Sequence, residues 1–305
     1  MIAFVVRRLL HGLLAITVLI VVVFFATHTL GDPVRLMLPI GASQEAVEAT
    51  RERFGLNDPV IIQFGNYVKD IVRLDFGVSL WQRRPCMDLV IERLPATALL
   101  ALVAMAWAVL AGILFGVLAG TRPRSKTDRS VSFVTFIGAS SIDFWVALML
   151  IIVASVKLGW FPTSGYGGFK YLILPAITLG FRPFGRIAQV TRPVVVEEFN
   201  KPYIMALRAR GLCRLRIIGH ALRNASVVIF TLTGYEFARL FTGASVVVEA
   251  VFGWPGVGLL MIQSIQRRDW PLIVATTTVV AGIVIILHIL IDLIYGLINP
   301  RVRFE

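Results

Sequence analysis

Long apolar runs separated by short polar segments dominate the pattern of this chain. Residues 9–26 and 273–291 form two such runs, and about 20 apolar residues with a rise of 1.5 Å each cross the hydrocarbon core of a bilayer. No alternating pattern of the kind that marks membrane barrel strands is present. The pattern predicts an all-α polytopic membrane protein with six transmembrane helices, near residues 9–30, 95–120, 131–158, 172–192, 224–249 and 272–297.

The composition supports a membrane environment. Hydrophobic residues make up 57% of the 305 residues, and the mean hydropathy is +0.81, whereas soluble domains are roughly 45–50% apolar. The net charge of +12 would suggest nucleic-acid binding in a soluble protein, but here the positions of the charges matter more. Cys86 and Cys213 fall on opposite predicted sides of the membrane, which excludes a disulfide, and neither has metal-ligand spacing.

Basic residues orient the predicted helices. Residues 121–130 carry four basic residues against Asp128 alone, and residues 191–223 carry seven against Glu197 and Glu198. The positive-inside rule places both segments and both termini in the cytoplasm. Residues 31–94 carry eight basic and nine acidic residues, so they can be translocated. We therefore predict a first transmembrane helix at 1–30, a small periplasmic helical cap at 31–94 and a five-helix core at 95–305.

The periplasmic cap (residues 31–94) has its own local pattern. Residues 45–54 and 59–72 are predicted as two short amphipathic helices around a turn, with Asn57 or Asp58 capping the second. We expect an impermeant thiol reagent to reach Cys86 from outside the cell, and Cys213 only after permeabilisation.

Catalytic motifs are absent from the sequence. There is no phosphate-binding loop of the form G-x-x-x-x-G-K-[ST] and no G-x-G-x-x-G after a strand. The four histidines are scattered, without a metal-binding H-E-x-x-H pair or a neighbouring nucleophile. The chain is therefore predicted not to be an enzyme, to hold no metal or cofactor, and to depend on another protein for energy.

Ionisable residues within the predicted spans are candidates for function because a buried charge is costly. Glu236 and Arg239 are three residues apart on one helix face and can pair with each other. Arg239 can instead bridge to Asp143 or Asp292 on another helix. We favour such packing pairs over direct contact with a substrate. The candidates for pore or interhelical charges are Asp143, Glu236, Arg239 and Asp292, with Glu249 also within a span.

The segment between the fourth and fifth predicted spans contains residues that are typical of the start and the end of a helix. Pro202 suits the start of a short helix, Gly211 suits the left-handed end of one, and a basic stretch then leads into the fifth span. An ordinary basic loop explains the arginines but not this helix-glycine-helix pattern. Both interpretations remain open on the residues alone.

Motifs along essentially the whole chain resemble one family. YIMALRARGL and HALRN, in residues 203–224, resemble the coupling segment of importer permeases. Nine more motifs match the same family in order: LGDPVRLML, FGLNDPVIIQF, LDFGVSL, ERLPAT, LGWFPTSGYG, LPAITL, FGWPGVG, RDWPLI and NPRVR. The chain thus resembles the inner-membrane permease subunit of dipeptide, oligopeptide, glutathione or nickel ATP-binding cassette importers. Ile142 and Val228 replace family prolines, so the kinks that proline causes are in question.

The resemblance implies a set of partners in the bacterial inner membrane. They are a second homologous permease, two ATP-binding subunits that hold ATP and Mg, and a periplasmic or lipid-anchored solute-binding protein, with membrane lipid around them and no nucleic acid. Peptide is the preferred solute, with glutathione or nickel chelates as alternatives. Rivals from other classes are an ion-coupled secondary transporter, which often contains an inverted repeat, and a membrane enzyme.

The resemblance also implies two sets of site residues. A coupling segment, residues 197–223, contacts an ATP-binding subunit, and a loop forms a periplasmic gate. The coupling residues are Tyr203, Ala206, Arg208, Arg210 and Gly211, and the gate residues are Phe252, Gly253, Trp254, Pro255 and Gly256.

Overall fold

The computed structural model of the chain describes residues 2–29, 43–45, 48, 51 and 58–298. These residues form helices and loops, without a strand among them, which confirms the all-α prediction. The helices are α1 Ile2–Thr29, α2 Val60–Val72, α3 Cys86–Gly120, α4 Lys126–Ser140, α5 Asp143–Leu150, α6 Phe169–Phe199, α7 Pro202–Ala209, α8 Arg214–Arg239, α9 Ser245–Phe252, α10 Val257–Gln266 and α11 Trp270–Ile298. Two π-helical segments, Ile151–Lys157 and Leu240–Ala244, follow α5 and α8.

Several of these helices are long and apolar enough to cross a membrane. Among the described residues they are Cys86–Gly120, Arg214–Arg239 and Trp270–Ile294, or up to five spans if two bent helix pairs each count as one. The apolar part of α1, Leu10–Phe25, is shorter. Helix α6 is not in this set and carries Arg182 and Arg186 in its interior. A polytopic membrane protein is confirmed, and the count of six spans stays a prediction.

The third predicted span, residues 131–158, is not one continuous helix. Helices α4 and α5 meet at an angle of 109°, and Ser141 and Ile142 between them are in extended conformation. The Ser141 hydroxyl donates to the Ile137 carbonyl at 2.5 Å, so a side chain replaces the backbone partner that helix continuation would supply. The bend therefore forms without the family proline at position 142.

Within the described residues, one compact unit comprises residues 98–254 and 287–298, and α6 is its central helix. Helices α4, α5, α8 and α9 all pack against α6. A Cβ on Gly185 would lie 2.3 Å from the Ala139 nitrogen, and a Cβ on Gly116 would lie 2.5 Å from the Thr191 Cβ. Small residues let helix backbones approach in a membrane. Because four helices pack against α6, it tolerates more polar residues than a helix that faces lipid on all sides.

The other compact unit comprises Ile2–Thr97 and Pro255–Ile286. Its core contains residues of α3, α10 and α11, namely Cys86, Leu89, Val90, Val257, Leu260, Leu272 and Ala275. The carboxylate of Asp269, which is fully buried, accepts hydrogen bonds from the Ser79 hydroxyl at 2.5 Å and the Trp81 amide at 3.1 Å. This contact fastens the loop before α3 to the segment before α11.

The structure corrects two details of the predicted periplasmic cap. Cys86 is fully buried, so the expectation that an external reagent reaches it is wrong, because its thiol packs into the core. Helix α2 begins after Pro59 without a side-chain cap, so Asp58 does not cap it. Most of the first predicted cap helix, residues 45–54, and Asn57 lie outside the described residues.

Candidate functional site

The coupling segment contains the predicted short helix and sharp turn. Helix α7 has Pro202 in its first turn, where the missing N–H of proline costs nothing. Beyond its last turn, Gly211 adopts a φ of +74°, a region that side chains with a Cβ rarely occupy. The Leu212 amide donates to the Leu207 carbonyl at 3.2 Å, which closes the turn. The left-handed conformation predicted for Gly211 is confirmed.

The inner face of α7 is attached to both neighbouring helices. Ile204 is buried and packs with Ile217 and Ala221 of α8. The Tyr203 hydroxyl donates to Glu198 Oε2, near the end of α6, at 2.6 Å. Tyr203, which the resemblance implies as a coupling residue, therefore lies on the inner face and positions α7.

Glu198 is the centre of a buried polar network at this end of α6. Only 5% of Glu198 is exposed, and its carboxylate pairs with Lys201 and accepts from the Asn224 amide at 3.3 Å. Burial raises the pKa of Glu198, but the hydrogen bonds from Lys201, Tyr203 and Asn224 outweigh it, so the pKa falls below its usual range. The carboxylate is thus ionised at neutral pH. Sequence reasoning counted Glu198 only as a loop charge.

The outer face of the coupling segment is open to solvent. The exposed residues of α7 and of the turn after it are Pro202, Met205, Ala206, Arg208, Ala209, Arg210 and Gly211, and Met205 is 75% exposed. The Arg208 guanidinium carbon lies 6.0 Å from the centre of the Phe199 ring. Four of the five predicted coupling residues therefore share a surface that offers positive charge and apolar contact.

A second buried acid joins the start of α4 to α6. Asp128 Oδ1 and Oδ2 accept from Arg192 Nε at 2.6 Å and Arg192 Nη2 at 2.8 Å. The Arg124 amide donates to the same carboxylate at 2.8 Å. The Arg192 hydrogen bonds, acting against burial, lower the pKa of Asp128 to about 2. Sequence reasoning did not identify this pair, because its members lie on separate helices.

The charges predicted within the spans are partly brought together. Glu236 is 3% exposed and accepts from Arg239 Nε at 2.9 Å and from Arg186 Nη1 at 3.1 Å. The predicted Glu236–Arg239 pair is therefore present, and Arg186 of α6 is a partner that the sequence did not reveal. Asp143 lies within electrostatic reach of Arg239 and Arg182. We call Asp143, Arg182, Arg186, Glu236 and Arg239 the central charge cluster.

Asp292 and Glu249 have different surroundings. Asp292 accepts a hydrogen bond from the Tyr235 hydroxyl at 3.1 Å. Glu249 is fully buried, and its carbonyl accepts from the Trp254 amide at 2.9 Å.

The first three residues of the predicted gate loop form a packed turn. Gly253 has a φ of +62° at the end of α9, and the Gly165 amide donates to the Phe252 carbonyl at 2.9 Å. The Trp254 ring is buried and meets Tyr166 edge to face with 4.9 Å between ring centres. Pro255 and Gly256 belong to the other compact unit, where Gly256 is the N-cap of α10.

These features define a class of protein: a polytopic helical membrane protein with a short exposed helix and buried ion pairs within and between helices. Residues 112–304 match the family "binding-protein-dependent transport system inner membrane component", and residues 1–101 match the N-terminal family of the same membrane components. The chain therefore belongs to the inner-membrane permeases of binding-protein-dependent ATP-binding cassette importers.

Individual relatives agree with this assignment. The oligopeptide transport system permease protein AppB of Bacillus subtilis is 38% identical, and the alignment covers 100% of both chains. The glutathione transport system permease protein GsiC of Escherichia coli K12 is 35% identical, again over 100% of both. A crystal structure of an amino acid ABC transporter with histidines has a TM-score of 0.54 at 16% identity, covering 68% of this chain and 93% of that one, which supports the fold alone.

Family membership decides between the classes considered from the sequence. The chain is a transport component and a multi-pass protein of the inner membrane. Membership of this family rules out the ion-coupled secondary transporter and the membrane enzyme, since the matched family works in binding-protein-dependent systems.

Proposed function

We propose that this chain forms one half of the translocation path of a peptide importer, beside a second homologous permease subunit. Support comes from the oligopeptide permease AppB and from a putative peptide transport permease of Brucella abortus that is 34% identical. Glutathione is the second candidate solute because GsiC is similar over its whole length. Nickel chelates stay an alternative on the sequence motifs alone.

The proposed importer has further subunits on each side of the membrane. Two ATP-binding subunits hold ATP and Mg on the cytoplasmic side, and a periplasmic or lipid-anchored solute-binding protein delivers the solute. Both termini lie in the cytoplasm in this proposal, because basic residues concentrate there and in the segments 121–130 and 191–223. Phe252 to Gly256 then lie at the periplasmic gate.

The observation that carries the proposal is the division of α7 into an anchored and an exposed face. Ile204 and Tyr203 attach the helix to α8 and α6, while Ala206, Arg208 and Arg210 remain exposed. Docking of an ATP-binding subunit on the exposed face then moves α6 and α8 with it. Such a helix transmits motion only if the ATP-bound and ATP-free partners bind it with different affinity.

Gly211 provides the test of this coupling role. Gly211→Val places a β-branched residue at a φ of +74°, which costs on the order of 1–3 kcal/mol of local strain. We expect the variant to reach the membrane at near-normal levels, to lose most transport, and to release its ATP-binding subunits in mild detergent. Transport and co-purified ATP-binding subunit are measured together.

Gly65→Val is the matched control, because Gly65 is exposed within α2 and outside residues 197–223. An added Cβ meets no atom within 4 Å at either Gly65 or Gly211. The two substitutions therefore differ in backbone conformation and not in crowding, and the control should retain transport and its partners. If Gly211→Val also retains both, residues 197–223 are an ordinary basic loop and the coupling assignment is wrong.

A further inference from the structure

The middle of α6 carries two arginines whose role is not explained by helix packing. At a rise of 1.5 Å per residue, Arg182 lies about 20 Å from the first residue of α6 and Arg186 about 20 Å from its last. The two are four residues apart and thus share one helix face. Both guanidiniums therefore lie near the centre of the predicted fourth span, where an unpaired charge is costly.

Arg182 and Arg186 differ in how their donors are used. Arg186 donates to Glu236 at 3.1 Å, yet 45% of its side chain is exposed. Arg182 Nε is buried, and within the described residues it has no hydrogen-bond partner. Arg182 also forms no ion pair there, although the charge of Asp143 acts on it from a greater distance. A buried donor without an acceptor is rare and calls for an explanation.

The two carboxylates of the central charge cluster are placed differently, since Glu236 is hydrogen-bonded through both oxygens and Asp143 acts on the arginines by charge alone. Glu236 uses one oxygen for Arg186 and the other for Arg239, and Asp143 faces the charges of both Arg239 and Arg182. Within the described residues, the one hydrogen bond from Arg182 or Arg186 to a carboxylate is that from Arg186 to Glu236. A guanidinium presents a planar fork of donors that matches a carboxylate, so these two arginines have donors for one more anionic oxygen pair.

We propose that Arg182 and Arg186 bind the carboxylate of the solute as it passes the middle of the membrane. This inference rests on the proposed function, because peptides and glutathione each bring a free carboxylate. Glu236 and Asp143 offset part of the positive charge, which keeps the binding weak enough for release, as a transport path requires. Arg182 and Arg186 bind the carboxylate of the solute and not its side chains, so the permease accepts peptides of varied sequence.

The test uses the complete importer in proteoliposomes, with its second permease, ATP-binding subunits and solute-binding protein. The probes are radiolabelled Ala-Ala-Ala and its C-terminal amide, each supplied with the solute-binding protein saturated, so that its own selectivity does not enter the rate. We expect Arg182→Gln to slow transport of the free acid about tenfold, and to leave transport of the amide unchanged. Arg182→Lys should retain part of the preference because it keeps the charge.

Arg129→Gln is the matched control, since Arg129 is exposed on α4 and lies outside the cluster. It should leave both rates unchanged. Equal slowing of both probes by Arg182→Gln, or no slowing of either, overturns the proposal. Loss of the second permease from the purified Arg182→Gln importer also overturns it, because Arg182 then pairs with that subunit.

A second measurement is independent of transport rate. Phenylglyoxal modifies arginine guanidiniums, and we expect free Ala-Ala-Ala, but not its amide, to slow modification of Arg182 and Arg186 in the wild-type importer. Equal modification with either probe contradicts the carboxylate site. An importer that takes up neither peptides nor glutathione contradicts the proposed function, and the phenylglyoxal result still decides the proposal for Arg182 and Arg186.

Discussion

Two buried glutamates of this permease, Glu198 and Glu236, have nearly the same exposure, 5% and 3%, and very different partners. Glu198 meets one cation, Lys201, together with two neutral donors, the Tyr203 hydroxyl and the Asn224 amide. Glu236 meets two guanidiniums, one from α6 and one from its own helix.

The difference separates a network that positions α7 from the site that we propose for solute recognition. One ammonium and two neutral donors satisfy Glu198 and hold α7 in place without a surplus of charge. At Glu236, each arginine brings five N–H donors, and the carboxylate accepts one hydrogen bond from each of the two. Equal burial therefore does not imply an equal role, because the number and kind of partners decide what remains available for a ligand.

The largest effect is expected from neutralising Glu236. Glu236→Gln leaves Arg186 and Arg239 without their shared carboxylate, and breaking a buried charge pair costs about 3 kcal/mol of stability. Thermal unfolding of the purified importer in detergent should show the loss. The double variant Glu236→Gln with Arg186→Gln should recover part of it, because it removes one uncompensated charge. If Glu236→Gln unfolds at the same temperature as the wild type, Glu236 does not form the buried ion pairs with Arg186 and Arg239.

A smaller, pH-dependent effect is expected at Asp128, which is paired at the predicted cytoplasmic end. Its pKa is lowered to about 2, against about 3.9 when unfolded. The pair therefore stabilises the fold fully above about pH 4 and loses that contribution as the pH falls towards 2. The free energy of unfolding of the wild type should exceed that of Asp128→Asn by about 2 kcal/mol at pH 7. The difference should shrink below pH 4. A constant difference down to pH 3 would exclude this pair as its source.

The smallest effect is expected from Glu198→Gln. The glutamine oxygen can still accept from Tyr203, so only the charge-assisted part of the Lys201 contact is lost, worth about 1 kcal/mol. Retention of the ATP-binding subunits should fall slightly while the central charge cluster is unaffected. Glu197→Gln is the matched control, because Glu197 is 75% exposed and contacts the same Lys201. A loss as large as that of Glu236→Gln would remove the distinction between the two glutamates.

The sequence by itself determined the class of fold and the location of the short helix α7 with the turn that follows it. Apolar runs of membrane length predict helices because the bilayer core leaves backbone groups no water to bond. Pro202 and Gly211 mark the ends of α7 because their backbone preferences are local properties. The Glu236–Arg239 pair was also predictable, because residues spaced three apart on one helix are neighbours on its surface.

Only the tertiary structure decided which distant groups meet. Arg186 and Glu236, like Asp128 and Arg192, lie on different helices, and no local rule brings them within 3.1 Å and 2.6 Å. The polar residues of α6 are likewise explained only by the helices that pack against it, because these helices replace lipid along part of its surface. The burial of Cys86 and the inward direction of Tyr203 follow from the same cause: side-chain environment depends on packing between helices, which sequence periodicity does not encode.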